Sequence, residues 1–204
     1  MNKPIKLFDD WAKKDKDKGM EKNHSFSVKK MINLIPERIQ KEPFSFIDIG
    51  CGNGWVVKKI QKRKNCIKAV GIDGSKNMIK KAIKNDKKSE YLKLDIENMK
   101  YKGSFDIVFS MEVFYYFKKP NNVLKYIYQN ILNKKGCLIL GIDHYLENKS
   151  SLTWGKELGL DIHSLSINEW KNKVKKTGFS NIKTYQFGSM PNWSGTYVIY
   201  AEKN

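Results

Sequence analysis

The chain has 204 residues, 40% of them apolar and 29% charged, and reads as a soluble globular protein of ordinary domain size. No stretch approaches the roughly 20 apolar residues of a membrane span, and residues 1–10 lack the long apolar core of a signal peptide, so a cytoplasmic location is expected. The formal net charge of +18 invites a nucleic-acid partner, but only Arg38 and Arg63 are arginines, the residue type on which bidentate phosphate and base recognition leans.

Taken in order, the chain opens with a short apolar cluster (Ile5, Leu7, Phe8, Trp11), followed by a lysine–aspartate run over 13–19 that reads as a solvated loop. After Ser25, the positions Val28, Met31, Ile32 and Ile35 fall at helical spacing, and Pro36 disturbs the last turn. This segment is expected to pack on the sheet edge or lie over a ligand. From Phe44 strands and helices alternate. Strands are predicted over 44–50, 68–73, 90–95, 105–110 and 137–142, and helices over 55–64, 75–85 and 121–132, with a turn at 133–136. Such alternation implies βαβ units, a parallel sheet and right-handed crossovers. Residues 143–165 carry little periodicity. A helix over 167–176 follows, with Ser166 and Glu169 forming a capping box and Gly178 closing it. Two last strands, over 181–187 and 196–202, read as an antiparallel hairpin. The cysteines, Cys51, Cys66 and Cys137, are widely separated and read as reduced thiols, with no metal site expected. The lysines are scattered over the outer faces of the predicted helices, and with the abundance of Asn and Ile they read as drift of a neutral surface. No linker marks a second domain.

The most informative stretch runs from Phe44 to Ile60: an apolar strand containing Asp48, then Gly50, Gly52 and Gly54, then Val56, Val57 and Ile60 on one helical face. Strand, glycine turn and helix N-terminus make a nucleotide cradle, because glycine lets backbone approach a ligand and the helix end presents free N–H groups. A dinucleotide fingerprint needs Gly or Ala at position 55, where close helix–strand packing occurs. Trp55 stands there, so a nicotinamide dinucleotide is disfavoured. In an open parallel sheet ligands bind beyond the carboxyl ends of the strands. Those ends carry Asp48, Asp73, Asp95, Ser110-Met-Glu112 and Asp143-His144. Asp73 lies about twenty residues beyond Gly52, the distance at which a carboxylate accepts ribose hydroxyls.

Together these stretches resemble the class I S-adenosylmethionine (SAM)-dependent methyltransferases, over nearly all of the chain from Asp48 to Lys203. Ile47-Asp-Ile-Gly-Cys-Gly-Asn-Gly54 resembles the motif that wraps the methionine part of SAM, which implies contacts from Asp48, Gly50, Cys51, Gly52, Asn53 and Gly54. Gly71-Ile-Asp-Gly-Ser75 with Met78 resembles the ribose motif, implying Asp73, Gly74 and Met78. Leu94-Asp-Ile96 resembles the adenine contact, implying Asp95 and Ile96. The stretch 105–113 resembles the motif of the fourth strand, bringing Ser110 and Met111 to the cofactor. In the turn before strand five, usually L-K-P-G-G, this chain has Asn-Lys-Lys-Gly-Cys, a departure far from the ligand. The resemblance also implies the fold: an α/β Rossmann-like three-layer sandwich, with a mostly parallel seven-stranded sheet ordered 3-2-1-4-5-7-6 and a C-terminal antiparallel hairpin. SAM would be the cofactor and S-adenosylhomocysteine the product.

In-line displacement at a sulfonium methyl asks the enzyme mainly to align the acceptor and exclude water, and needs a general base only if the acceptor must lose a proton. Candidates for the acceptor side are Glu112, Tyr115, Tyr116 and His144. His144 follows strand five directly and is the best placed; His24 and His163 are further candidates, though both are more readily read as residues satisfied within the fold. Trp11, Phe114, Phe117, Tyr145, Trp154 and Trp193 are further aromatic candidates for the acceptor pocket. No N-P-P-Y or D-P-P-Y motif follows strand four, which weakens a reading as a base or glutamine amino-methyltransferase. The expected function is methyl transfer from SAM to a small-molecule acceptor, with residues 1–40 and 143–165 as cap and acceptor wall. The rivals are an RNA or protein methyltransferase that uses the basic surface and a SAM-binding regulatory subunit without chemistry.

Overall fold

A computed structural model describes residues 2–204 of the chain. Seven strands form one sheet in the order β3-β2-β1-β4-β5-β7-β6. They are β1 (Phe44–Ile49), β2 (Cys66–Asp73), β3 (Glu90–Lys93), β4 (Phe105–Met111), β5 (Leu132–Ile142), β6 (Ser180–Phe187) and β7 (Thr196–Glu202). Strands β1 to β5 pair in parallel, and β7 runs antiparallel to both β5 and β6. The order and the final hairpin are those expected. Every residue of β1 is buried, as suits a central parallel strand covered on both faces. Ile47 pairs with Val70 on one side and Val108 on the other.

Eight helices accompany the sheet among the described residues: α1 (Lys3–Lys13), α2 (Lys18–Ile32), α3 (Glu37–Gln40), α4 (Trp55–Gln61), α5 (Lys76–Asn85), α6 (Pro120–Asn130), α7 (Trp154–Leu158) and α8 (Ile167–Thr177). None of them is long and apolar enough to cross a membrane. Two apolar cores result, one containing Val123, Leu124, Ile127, Trp170 and Val174, the other containing Val28, Met31, Val56, Val57 and Ile60. The caps follow the sequence. Ser75 accepts from the Met78 N–H, Ser166 and Glu169 form the reciprocal capping box, and Gly178 ends α8 at φ +110°.

Element ends shift by one to three residues at several places, and two regions differ more. The lysine–aspartate run is not an extended loop: helix occupies both sides of a turn at 14–17, so α2 begins at Lys18, not near Ser25. The carboxylates that looked solvated are held there, with Asp17 2% exposed and accepting from the Asn53 amide, and Lys18 paired with Asp15. The predicted turn at 133–136 lies inside β5, which starts at Leu132 opposite Phe105. Pairing resumes at Ile107–Cys137 after a register shift, with Lys135 at φ +63°. A bulge therefore replaces the turn, held by the backbone pairs Lys135–Lys203 and Lys203–Gly136.

Candidate active site

Beyond the carboxyl ends of β1, β2 and β4, at the switch in strand order, lies a cavity of about 360 Å³. Its floor is the glycine turn. Gly50 and Gly52 line it at φ +79° and +53°, a backbone region that favours glycine. A Cβ on Gly50 would overlap the Val113 side chain, and one on Gly52 would stand 2.8 Å from the Met20 methyl. Asp73, at the end of β2, accepts from the Gly52 N–H at 3.0 Å and the Ser75 N–H at 2.8 Å. Burial raises its carboxyl above the ordinary value, while those backbone donors pull it back toward the charged form. Gly74, Met78, Asp95 and Ile96 continue the same wall.

The opposite wall comes from the end of β4 and the turn after it. Glu112 sits there at φ +62°, unusual for a residue with a side chain. Its carboxylate accepts from the Tyr115 hydroxyl at 2.5 Å and from the Asp143 backbone N–H. Burial, then the nearby Asp143, push the Glu112 carboxyl well above the usual range. Met111, Val113, Tyr115, Tyr116 and Phe117 complete this wall, and Tyr115 packs 4.3 Å from Tyr116 between ring centres.

The roof is helical. From α1 come Ile5, Phe8 and Trp11, from α2 Met20 and His24, and from α7 Trp154, Glu157 and Leu158. Phe8 meets Tyr116 edge-on at 5.2 Å, which joins roof to wall. Asp9 accepts from the Ser75 hydroxyl at 2.8 Å and the Asn77 N–H at 2.9 Å, and Lys81 bonds to both Asp15 and Asp17. The α1–α2 segment is thereby fastened to the loop and helix behind the cavity.

Of the residues expected at the cofactor, Gly50, Gly52, Asp73, Gly74, Met78, Asp95, Ile96 and Met111 line the cavity. Asp48, Cys51, Asn53, Gly54 and Ser110 do not, since each is turned to support. Asp48 is 3% exposed, and burial together with Asp73 holds its carboxyl well above the carboxylate range. Cys51 is buried beneath the turn, where Gly71 has no room for a Cβ beside its sulfur. Asn53 donates to Asp17, Gly54 packs against Ala82 and Tyr91, and the Ser110 hydroxyl donates to the Ile49 carbonyl. Asp95 has a second task, capping the short turn Ile96–Asn98 through the Glu97 N–H and the Asn98 amide.

On the acceptor side, Glu112, Tyr115 and Tyr116 line the cavity and His144 does not. His144 is fully buried: its Nδ1 donates to the Ser151 carbonyl at 2.9 Å, and its Nε2 accepts from the Ser164 hydroxyl at 2.8 Å. Both ring nitrogens are consumed, so the place expected for it beside the acceptor is not the one it takes. The histidine that reaches the cavity is His24, expected to be satisfied within the fold. Its Nδ1 lies 3.5 Å from the Asp143 carboxylate. Burial keeps His24 below its ordinary value and Asp143 above its own, each opposed by the other's charge. His163 lies apart, its Nε2 3.2 Å from the Lys118 carbonyl. Among the aromatic candidates, Trp11, Phe117 and Trp154 line the cavity, Phe114 and Tyr145 are buried in the core, and Trp193 stacks on Trp154 from behind. The sequence singles out none of Met20, Glu157 and Leu158 individually, and Ile5 only as part of an apolar cluster, although all four fall in the segments 1–40 and 143–165 expected as cap and acceptor wall.

These residues fit SAM. The glycine turn leaves bare backbone where a Cβ would intrude, and Asp73 has about two of its roughly four lone-pair sites free to accept from ribose hydroxyls. Met78 and Ile96 offer apolar faces beside Asp95.

Known proteins agree with this geometry. Residues 47–140 match the family described as a methyltransferase domain. The chain is 27% identical over 168 residues to a tRNA U34 carboxymethyltransferase of Mannheimia succiniciproducens, covering 74% of this chain and 49% of that protein. It is 31% identical over 113 residues to the Actinobacillus succinogenes protein of the same name, covering 52% and 35% respectively. The chain thus spans half or less of the length of these relatives. Among solved structures it resembles a chain from the complex of the Haloferax volcanii Trm112 methyltransferase activator with a protein assigned as a methyltransferase, at TM-score 0.84, 24% identity and 96% coverage of both chains. It also resembles a Thermotoga maritima SAM-dependent methyltransferase described as a possible histamine N-methyltransferase, at TM-score 0.76 and 22% identity, covering 98% of this chain and 99% of that one. Residues 47–140 thus match the methyltransferase-domain family, and the strand order and glycine cradle agree with the fold of the class I SAM-dependent methyltransferases.

Proposed function

We propose that the protein transfers a methyl group from SAM to a small-molecule acceptor. The observation that supports this most is the roofed cavity. At about 360 Å³, it is of the size of a small-ligand site, and α1, α2 and α7 cover the side on which an acceptor would enter. SAM supplies a methyl group already activated by a sulfonium charge. The chain's part is positioning. Gly50 and Gly52 bring backbone to the cofactor, and Asp73 holds the ribose. Met78, Asp95 and Ile96 hold the base, and the wall of Glu112, Tyr115 and Tyr116 places the acceptor. Asp48, Cys51, Asn53, Gly54 and Ser110 act one layer behind, fixing the loop. Residues 1–40 serve as the cap, which excludes water and aligns the reacting atoms.

A second reading, an RNA acceptor, is favoured by the formal net charge of +18 and by the name of the curated relatives. Labelled methyl transfer from SAM into the small-molecule and macromolecular fractions of a source-cell extract separates the two. Label in the small-molecule fraction is expected. Label confined to RNA, with binding that weakens steeply with salt, would establish the second reading. Tight SAM binding with no label in any fraction would make the protein a regulatory subunit.

A further inference from the structure

The charge on the cavity wall is opposite to that of the chain. The protein carries 39 Lys and Arg residues, yet among the described residues that line the cavity there is neither lysine nor arginine. Five carboxylates line it: Asp73 and Asp95 on the cofactor wall, Glu97 beside them, and Glu112 and Glu157 on the acceptor side. With Glu112 and Glu157 stand Phe8, Trp11, Tyr116 and Trp154. Carboxylate and aromatic faces together recognise an organic cation, by charge-assisted hydrogen bonding and by attraction to the ring quadrupole. An anionic acceptor would meet carboxylates and no cation here.

A cationic acceptor poses a problem at this site, since an ammonium group has no lone pair to attack with and is repelled by the neighbouring sulfonium. The second observation answers it. His24 reaches the cavity with Nδ1 toward Asp143, and its Nε2 has no hydrogen-bond partner among the described residues. Asp143, only 4% exposed, has one carboxylate oxygen, Oδ1, buried without a partner, and the other, Oδ2, faces the imidazole at 3.5 Å. The charged group facing His24 is Asp143, directly after β5, and Glu112 after β4 lies against Asp143 in turn; no cation opposes them there among the lining residues.

Resting on the methyl-transfer reading above, we propose that the acceptor is a small arylalkyl amine, its ammonium form bound by Glu157 and the aromatic wall and deprotonated by His24, which Asp143 positions. The proton passes from the ammonium nitrogen to His24 Nε2, leaving an imidazolium beside the Asp143 carboxylate. The freed lone pair forms the N–C bond as the methyl's bond to sulfur breaks, and sulfur keeps that electron pair. The products are an N-methylammonium and a neutral thioether, and His24 then returns its proton to water. Positive charge is thus removed from the acceptor before attack and restored to it afterwards.

The test begins with calorimetric binding of S-adenosylhomocysteine, whose failure would overturn the methyl-transfer reading and not the acceptor assignment. The loaded protein is then titrated with skeleton-matched probes: 2-phenylethylamine, 2-phenylethanol and 3-phenylpropionate, with the corresponding indole series. Amines are expected to bind at least about tenfold more tightly than alcohols, with carboxylates weakest. Equal binding of the three classes, tighter carboxylates, or no binding by any amine overturns the proposal. With the amine that turns over best, His24→Asn should leave cofactor affinity unchanged and lower turnover about 100-fold at pH 7.5. The loss should shrink below about tenfold at pH 9.5, where solvent deprotonates an amine of pKa about 10. His24→Gln substitutes if the first variant melts early. A loss of equal size at both pH values overturns the assignment of the base. Asp143→Asn should show the same pH-dependent loss in smaller degree, which a residue that only held the fold would not.

Discussion

The Asp9 carboxylate of the first helix accepts the backbone N–H of Asn77 at 2.9 Å, so one helix of the cap closes the N-terminus of α5 behind the ribose-side wall. The same carboxylate accepts from the Asn77 amide at 2.6 Å and the Ser75 hydroxyl at 2.8 Å. A helix N-terminus has unpaired donors and a positive dipole end, and here both are answered by a residue 68 positions earlier in the chain. Asp9→Ala should release α1 at a cost of about 1–2 kcal/mol, lowering Tm by a few degrees and exposing the lysines of the α1–α2 turn to trypsin. Limited proteolysis with and without S-adenosylhomocysteine checks this; unchanged cleavage would mean the cap is held elsewhere.

The same contact sets a pH dependence. Burial raises the Asp9 carboxyl, but the bonds from Asn77, Ser75 and Lys13 more than offset it, and the group is held down at about 2 against an ordinary 3.8. Its contribution is therefore fully present above about pH 4 and is lost as the pH falls through about 2, amounting to roughly 1–2 kcal/mol after allowance for solvent screening. Acid titration of wild type and Asp9→Asn should show a constant gap in stability above about pH 4 that closes as the pH falls toward 2; a gap unchanged over that range would contradict the assignment.

Asp73 joins the glycine turn to α5 through the Gly52 and Ser75 N–H groups while facing the cavity. Asp73→Ala should weaken S-adenosylhomocysteine binding by roughly 1–3 kcal/mol, about 5- to 150-fold, through lost charge-assisted hydrogen bonds. Asp73→Asn should recover part of this. Unchanged affinity by calorimetry would remove the ribose assignment.

Gly50→Ala adds a methyl that overlaps Val113 at a backbone angle of φ +79°. The expected cost is about 1–3 kcal/mol. Val113→Ala should restore only the steric share, so a double-mutant cycle by chemical denaturation should show coupling, and strict additivity would refute the clash.

His144→Ala should leave Ser151 and Ser164 with unmet polar atoms and destabilise the fold by about 1–3 kcal/mol. At a temperature where the variant is folded, its turnover should match wild type. A large loss of kcat with Tm unchanged would return His144 to the acceptor side.

Much of this molecule is determined locally. Strand, glycine turn and helix from Phe44 to Ile60 follow from apolar runs and from glycines with positive φ, and the capping box at Ser166 and Glu169 follows from spacing alone. Because strand ends must gather along one sheet edge, the sequence also placed Gly50, Gly52, Asp73, Ile96, Met111 and Glu112 at the cavity. What it did not determine is which way a side chain turns once it is there. His144 and His24 are both polar residues near apolar runs; only packing decides that the first spends both nitrogens on serines and the second faces the cavity beside Asp143. Likewise Asp17 reads as solvated charge, and Asp9 carries no signal at all, until tertiary contacts supply their partners, Asn53 and Asn77, from far along the chain. Periodicity and turn chemistry act over a few residues and are written in the sequence. Burial and long-range hydrogen bonding exist only once distant elements meet, and they assigned the roof of this site and its histidine.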